Sequence, residues 1–268
     1  MNIDLIIYGI KRGDGRFDRN YQKLSELLKY DFDINTIEII NDIEMIDNPR
    51  SGEIGIIQNK RQYFEDSRVV LKSYKRLSDY ELIAAKAKKF SDVHQDSYRS
   101  VENLIQQLLM LRDGLLLSEN KFILTIRDDI IFAPSQLSNS IKKFIKICSH
   151  ENSFLTSFFH SNTGLSERFM LTQNPGSAVL LNRVGAISDF LFEKNQKQYR
   201  HSNGLNGEWL ARYVSENKKL VPICAPIFTK RIRTSGIQKE SMFTAPHRWV
   251  HELNNLEGLR KFIVGKDK

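Results

Sequence analysis

The sequence predicts an α/β domain, and three observations carry that expectation. Ile3 to Ile10 and the run that opens Phe122 to Phe132 are short, apolar and rich in β-branched residues, the pattern of buried strands. Tyr98 to Leu117 places Val101, Leu104, Ile105, Leu108, Leu109, Leu111 and Leu115 at helical spacing, a broad apolar face suited to packing on a sheet. No repeat, low-complexity tract or long linker interrupts the chain, so 1–268 reads as one domain, with 230–268 a candidate C-terminal extension.

Composition bounds the class of function. The 268 residues are 41% hydrophobic and 27% charged, enough apolar material for a sizeable core in a soluble globular protein. Lys plus Arg number 40 against 32 Asp plus Glu, a formal charge of +8, which favours anionic partners such as nucleotides, anionic headgroups or nucleic acid. Cys148 and Cys224 lack any paired metal spacing, so neither a disulfide framework nor a zinc site is indicated. The chain opens with a strand instead of a signal peptide, and no apolar run approaches the roughly 20 residues that span a bilayer. The expected location is cytoplasmic, with any membrane contact peripheral and at the inner face.

The elements follow in order. After the first strand comes the basic loop Lys11-Arg12-Gly13-Asp14-Gly15-Arg16, and then Phe17, Tyr21, Leu24, Leu27 and Leu28 recur at helical spacing. A strand, a glycine-bearing basic turn and a helix present backbone N–H and guanidinium groups to phosphate, or simply form a solvated tight turn. Asn35 to Ile40 reads as a second strand, Asn48 to Gly52 as a turn, and Ile54 to Ile57 as a short strand or loop. Arg61 to Phe90, dense in Lys and Arg, reads as one or two amphipathic helices with a solvated basic face. Ser91 to Ser97 is a polar loop, and Ser118 to Lys121 turns the chain into the central strand.

Beyond Phe132, Pro134 sits in the first turn of a further helix carrying Leu137, Ile141, Phe144 and Ile145 on one side. Phe154 to His160 is an aromatic-rich strand candidate. Asn174-Pro175-Gly176 turns the chain into a strand at Ala178 to Leu181 and a helix around Val184 to Phe192. Glu208 opens a helix after two glycines, where it either serves the helix dipole or acts as a base. Leu220 to Phe228, broken by Pro222 and Pro226, is an edge strand or extended segment, followed by the basic tract Lys230-Arg231-Ile232-Arg233. The tail that holds His247 reads as helical and basic.

Arg127, Asp128 and Asp129 interrupt the central apolar run. Charges at the end of a buried strand must be paired or emerge into a cleft, and ligands bind at the carboxyl ends of strands in open α/β sheets. Two carboxylates there can hold a divalent cation together with a diphosphate, since Mg²⁺ is bound by one or two carboxylates plus phosphate oxygens. The other reading is a strand-ending turn in which an aspartate caps the next helix.

Arg127-Asp128-Asp129-Ile130-Ile131-Phe132, after an apolar strand, resembles the Arg-x-Asp-x-x-Phe element of certain bacterial polysaccharide glycosyltransferases with a GT-A fold. That element takes the place of the Asp-x-Asp motif that binds metal and nucleotide-sugar in GT-A enzymes. The helix before it agrees, and Tyr8-Gly9-Ile10-Lys11-Arg12 resembles the strand-to-helix opening of the same enzymes, with Ile10 where a polar residue is usual.

The resemblance implies a GT-A-like, Rossmann-related twisted mixed sheet with helices on both faces. It implies sugar transfer from a nucleotide-sugar donor to a glycan or lipid-linked acceptor in cell-surface polysaccharide biosynthesis, assisted by Mn²⁺ or Mg²⁺. Tyr8, Gly9, Arg12, Arg16, Arg127 and Asp128 are then the expected nucleotide-sugar contacts. Asp129, Asp128 and His247 are the expected metal ligands, with Asp129 the principal one. Glu208 is the expected catalytic base, with Asp189 and Glu216 as competitors. Arg127 stands where a typical Asp-x-Asp motif has its first acid, which leaves the strictness of metal dependence open. The rival function is a basic nucleic-acid-binding protein or a metal-dependent nuclease using Asp128 and Asp129. No nucleic-acid motif is present, so no nucleic-acid partner is expected.

Overall fold

The computed structural model describes residues 1–10, 16–43, 45–48, 53–56, 64–74, 98–147, 153–156, 159–160, 164–165, 168–173, 220–225, 227, 229–233 and 236–237. In chain order these form β1 (Asn2–Gly9), α1 (Arg16–Leu28), β2 (Asp33–Asn41), the pair β3 (Met45–Asn48) and β4 (Glu53–Ile56), β5 (Arg68–Lys72) and α2 (Tyr98–Leu116). Next come β6 (Phe122–Arg127), β7 (Ile130–Phe132), α3 (Pro134–Ile147), β8 (Ser153–Thr156), β9 (Phe159–His160) and β10 (Gly164–Leu165). The last are β11 (Phe169–Gln173), β12 (Val221–Cys224), β13 (Thr229–Arg233) and β14 (Gly236–Ile237). The strand expected at Ala178 to Leu181, the helix around Val184 to Phe192 and the C-terminal tail lie outside the described residues.

Seven strands form the main sheet in the order β12-β8-β11-β6-β1-β2-β5. β5, β2, β1 and β6 are mutually parallel, with Ile3 opposite Phe122 and Asn2 opposite Asp33. β11 then runs antiparallel to both β6 and β8. The sheet is therefore mixed, and its parallel part repeats the 3-2-1-4 strand order of doubly wound nucleotide-binding folds. β12, the strand with Pro222, lies at one outer edge, as its proline requires.

Alternation along β1 explains the two layers of helices. Ile3, Leu5 and Ile7 point to one face and join Phe17, Tyr21, Leu24 and Leu28 of α1 and Leu137, Ile141 and Phe144 of α3 in one core. On the opposite face Ile6 and Ile39 meet α2 at Gly114, where an added Cβ would lie 2.5 Å from Ile6 Cγ2 and 3.3 Å from Ile39 Cγ1. Helices thus cover both faces, as expected. Among the described residues no helix is long and apolar enough to cross a membrane.

The amino edge of the parallel strands is held by Asp4, which is fully buried. Its Oδ2 accepts the backbone N–H of Glu119 and of Asn120, both at 2.7 Å, and its Oδ1 accepts Asn120 Nδ2 at 2.7 Å and Asn35 Nδ2 at 2.8 Å. One carboxylate therefore ties β1, β2 and the turn before β6 into register, which sets how β6 delivers its far end to Gly9.

Three parts of the fold differ from expectation. Within Arg61 to Phe90, where helices were predicted, residues 68–72 form strand β5 at the sheet edge. Val69 and Val70 favour extended backbone. Buried Glu38 of β2 also pulls the preceding turn onto the sheet, accepting Phe64 N–H at 2.9 Å and the Ser67 hydroxyl. Residues 75–90 of that stretch lie outside the described residues. β11, an interior strand, was not anticipated. The tract Lys230 to Arg233 does not merely follow the last strand but is itself part of β13, paired with β7.

Candidate active site

The parallel strands end together on one edge, which brings Gly9 of β1 and Arg127 of β6 side by side. The chain leaves β1 through α1 toward β2, whereas β6 lies on the other side of β1, so the strand order reverses between β1 and β6. Ligands of open α/β sheets bind in the crevice at such a point. β6 ends at Arg127 beside this reversal, and Asp128 and Asp129 follow directly.

The motif has a local structural logic. Asp128 N–H donates to Tyr8 O at 3.1 Å, and Arg127 N–H donates to Arg168 O at 3.0 Å, so the turn stays fastened to both neighbouring strands. Arg127 then reaches forward to Asp129: Nε donates to Oδ1 at 3.0 Å and Nη2 to Oδ2 at 2.7 Å. This bidentate pair is nearly dry, with 15% of the Arg127 side chain and 3% of the Asp129 side chain exposed. Asp128 takes a different direction. Its carboxylate lies against Gly9, where an ideal Cβ would sit only 1.7 Å from Oδ1. Glycine at position 9 is required by this close approach, since any side chain would expel the carboxylate.

Phe132 secures the other end of the element. It is buried, its ring meets Phe17 of α1 edge-on at 6.3 Å, and its carbonyl accepts Asn20 Nδ2 at 2.7 Å. The first turn of α1 is thereby held next to the strand that follows Asp129. An N-terminal helix end carries partial positive charge and suits anionic groups. β13 pairs with β7, with Arg231 opposite Ile130 and Lys230 opposite Ile131, so its backbone runs beside the strand that follows the two aspartates.

A second polar cluster braces the carboxyl ends of β2 and β5 against α2. Buried Asn41 donates to Gln106 Oε1 at 3.1 Å and accepts Tyr74 N–H at 3.3 Å. The Tyr74 hydroxyl donates to Asp113 Oδ2 at 3.0 Å, and Asp113 also pairs with Lys72 and Arg112. Burial first, then the Asp113 charge, pushes the Tyr74 phenol well above its ordinary range. Tyr21 of α1 is raised by burial too, against the lowering effect of its 2.6 Å hydrogen bond to Thr36 Oγ1.

Of the residues expected at the site, the fold brings together Tyr8, Gly9, Arg127, Asp128 and Asp129. Tyr8 is buried beside Arg127 in register. Arg16 is the first residue of α1. Arg12, Glu208 and His247 lie outside the described residues, as do Asp189 and Glu216. Sequence reasoning missed Arg168, a buried cation whose carbonyl receives Arg127 at the same edge. Its signal was the charge immediately ahead of the apolar run Phe169-Met170-Leu171.

Among the described residues no group of three His, Cys, Asp or Glu is placed to hold a metal ion. The donor set is two carboxylates, one of them bound by a guanidinium. That chemistry fits a hard divalent cation completed by phosphate oxygens of a ligand, not one caged by protein alone.

No protein-family model and no curated protein matches the sequence. Among solved structures the chain is similar to mouse xyloside xylosyltransferase 1 in its apo form, at 7% identity over 84% of this chain and 85% of that one, with a TM-score of 0.42. It is similar to the galactosyltransferase LgtC with donor and acceptor sugar analogues, at 9% identity over 75% of this chain and 67% of that one, with a TM-score of 0.41. A third likeness is to the 2-C-methyl-D-erythritol 4-phosphate cytidylyltransferase of Francisella tularensis, at 10% identity over 95% of this chain and 99% of that one, with a TM-score of 0.37. At these identities and scores the likeness assigns no activity to this chain.

Proposed function

We propose that the protein is a glycosyltransferase that moves a sugar from a nucleotide-sugar to a glycan or lipid-linked acceptor in cell-surface polysaccharide biosynthesis. The observation that carries this reading is the placement of Arg127, Asp128 and Asp129 at the strand-order reversal, with the Asp128 carboxylate seated on Gly9. The basic tract Lys230 to Arg233, on the strand that pairs with the one following Asp129, is in this reading a source of positive charge for the diphosphate. The start of α1, beside Phe132, adds its dipole.

In this reading Asp128 and Asp129 hold Mn²⁺ or Mg²⁺ together with the donor phosphates, and His247 is a further ligand. When bound, the cation supplies Lewis-acid stabilisation of the departing nucleoside diphosphate. Tyr8, Gly9, Arg12, Arg16 and Arg127 line the donor side, and Glu208 takes the proton from the acceptor hydroxyl. In this reading the protein works in the cytoplasm, and any contact with the membrane is peripheral and at its inner face.

Incubation with a panel of nucleotide-sugars, with and without Mn²⁺, tests this. Slow release of one nucleoside diphosphate from one donor, lost in Glu208→Gln, is the expected result. Absence of release from every donor, alongside salt-sensitive binding to DNA or RNA, would replace the reading with its nucleic-acid rival.

A further inference from the structure

β5 is the outermost strand at one end of the main sheet, and among the described residues no strand pairs with its free edge. The strand at the opposite end, β12, carries Pro222, a residue that blunts an edge. β5 has no such device: it reads Arg68-Val69-Val70-Leu71-Lys72, in an unbroken parallel ladder with β2. The Lys72 carbonyl accepts Asp42 N–H at 3.0 Å, so Lys72, Val70 and Arg68 aim their backbone groups at β2. By alternation the N–H and C=O of Val69 and Leu71 aim outward. The same two residues expose their side chains, Val69 at 38% and Leu71 at 48%.

Charge does not guard this edge. Arg68 and Lys72 stand at the two ends of the strand, and both turn onto α2. Arg68 donates to Leu117 O at 3.3 Å and pairs with Glu119 at 3.6 Å, while Lys72 pairs with Asp113. Their side chains therefore lie on the α2 face of the sheet, and Val69 and Leu71 lie together on the other face. The strand that results, apolar between two cations, has nearly the same pattern in both directions.

From this geometry we infer that β5 is the contact through which two copies of the chain associate, edge to edge and antiparallel, about a two-fold axis at Val70. Rotation about Val70 sets Val69 opposite Leu71 of the second copy, and Leu71 opposite its Val69. These are the residues whose backbone groups face outward, so each pair exchanges both of its N–H···O bonds. The apolar side chains of Val69 and Leu71 from both copies then meet on one face. On the other face Arg68 stands opposite Lys72 of the second copy, a contact that repels when the charges are bare. Here each cation keeps its own acid, Glu119 or Asp113, beside it. A second copy suits the edge better than an unrelated strand, because the two-fold axis satisfies both halves of the pattern at once. A strand pair of this length is small beside a standard interface of about 1,600 Å², so the association is weak and concentration-dependent. The inference is independent of the chemistry at Arg127 to Asp129.

Sedimentation velocity of the full-length protein, from low micromolar to several hundred micromolar, is expected to show the mass rising from one chain toward two. Leu71→Lys puts a charge on the apolar face, and Val69→Pro removes an outward N–H, while neither removes a bond to β2. Each should raise the dimer Kd at least about tenfold, one decade on the affinity scale, with Leu71→Lys melting near the parent protein. Val70→Cys reports the register. Its Cα meets the same position of the second copy in a non-hydrogen-bonded pair, about 4.5 Å away and within reach of a disulfide. Mild oxidation should then give a dimer whose peptides join position 70 to position 70, and adding Leu71→Lys should suppress it. If Val69→Pro or Leu71→Lys fails to fold, the Val70→Cys bridge decides alone. The inference is overturned if the protein stays monomeric throughout, if a dimer forms whose Kd both substitutions leave unchanged, or if Val70→Cys gives no bridge between the two positions. None of these results bears on nucleotide binding, so the glycosyltransferase reading is judged separately.

Discussion

Asp4 offers the sharpest stability prediction, because its carboxylate accepts four hydrogen bonds from three residues, Asn35, Glu119 and Asn120. Replacement by leucine keeps the branching and the number of heavy atoms but adds bulk and removes every acceptor. The backbone N–H groups of Glu119 and Asn120 then lose their partner at the start of β6. Each stranded donor costs about 1–3 kcal/mol, so the two together cost about 2–6 kcal/mol. Relief from burying a carboxylate offsets part of this, and the side-chain amides of Asn35 and Asn120 can turn to other partners. The expected loss is therefore about 3 kcal/mol, a large share of the roughly 5–15 kcal/mol that stabilises an ordinary domain.

Asp4→Asn should cost much less, about 1 kcal/mol. Its amide oxygen can still accept both backbone donors, while its NH₂ group donates to flipped Asn35 and Asn120 amides. Urea unfolding of the three proteins measures the difference, and amide exchange at Glu119 and Asn120 localises it. Asp4→Leu should accelerate exchange at those two positions and also in β6. If Asp4→Leu costs under about 1 kcal/mol, or if Asn and Leu are equally damaging, the bracing role assigned to this carboxylate is wrong.

Two further predictions follow from the α2 side of the sheet. Native Tyr74 holds its proton more tightly than the unfolded chain, whose phenol titrates near 10.0, so its contribution is complete below that pH and is lost as pH rises above it. Tyr74→Phe should cost about 1 kcal/mol at pH 7, and that difference should shrink as pH passes about 10.5; a difference constant across that range in parallel unfolding titrations would contradict the buried phenol–carboxylate contact. Gly114→Ala raises helix propensity by about 1 kcal/mol but forces a Cβ to 2.5 Å from Ile6 Cγ2, a branched atom that cannot swing away. Overpacking of about 1–3 kcal/mol should win, so the variant should melt below the parent protein, and a higher melting temperature would show that α2 is free to shift.

How legible this fold was depended on whether the deciding force was local. β1, α1, β2, α2, β6 and α3 declared themselves because each carries an apolar pattern that matches its own period. β5 did not, because Arg68 and Lys72 flank only three apolar residues and its pairing with β2 depends on Glu38, thirty residues earlier. β13 was hidden for a related reason: its alternating charges look solvated until β7 supplies a partner. Nothing local explains Gly114 in the middle of α2; its cause is the approach of that helix to Ile6 and Ile39.

At the site, the position of Arg127-Asp128-Asp129 was readable from the abrupt charge after an apolar strand. The direction of each side chain was not. Which aspartate pairs with Arg127 and which crosses to Gly9 is decided by contacts between β1 and β6, 119 residues apart in sequence between Gly9 and Asp128 by simple subtraction. The charge of Arg168 ahead of an apolar run was visible, but its link to the site comes only through the antiparallel pairing of β11 with β6.

Binding of a nucleotide-sugar at the carboxyl ends of β1 and β6 decides the glycosyltransferase reading. Thermal-shift titration with nucleoside diphosphates and nucleotide-sugars, each with and without Mn²⁺, measures this directly. Ligand at about 100 times its Kd adds about 2.7 kcal/mol to native stability. For a protein of this size that raises the melting temperature by roughly 5–10 °C. The predicted result is a rise for one nucleotide class, enhanced by Mn²⁺ and abolished by Asp128→Asn. A protein that melts at the same temperature with every nucleotide, with or without Mn²⁺, would contradict the central claim.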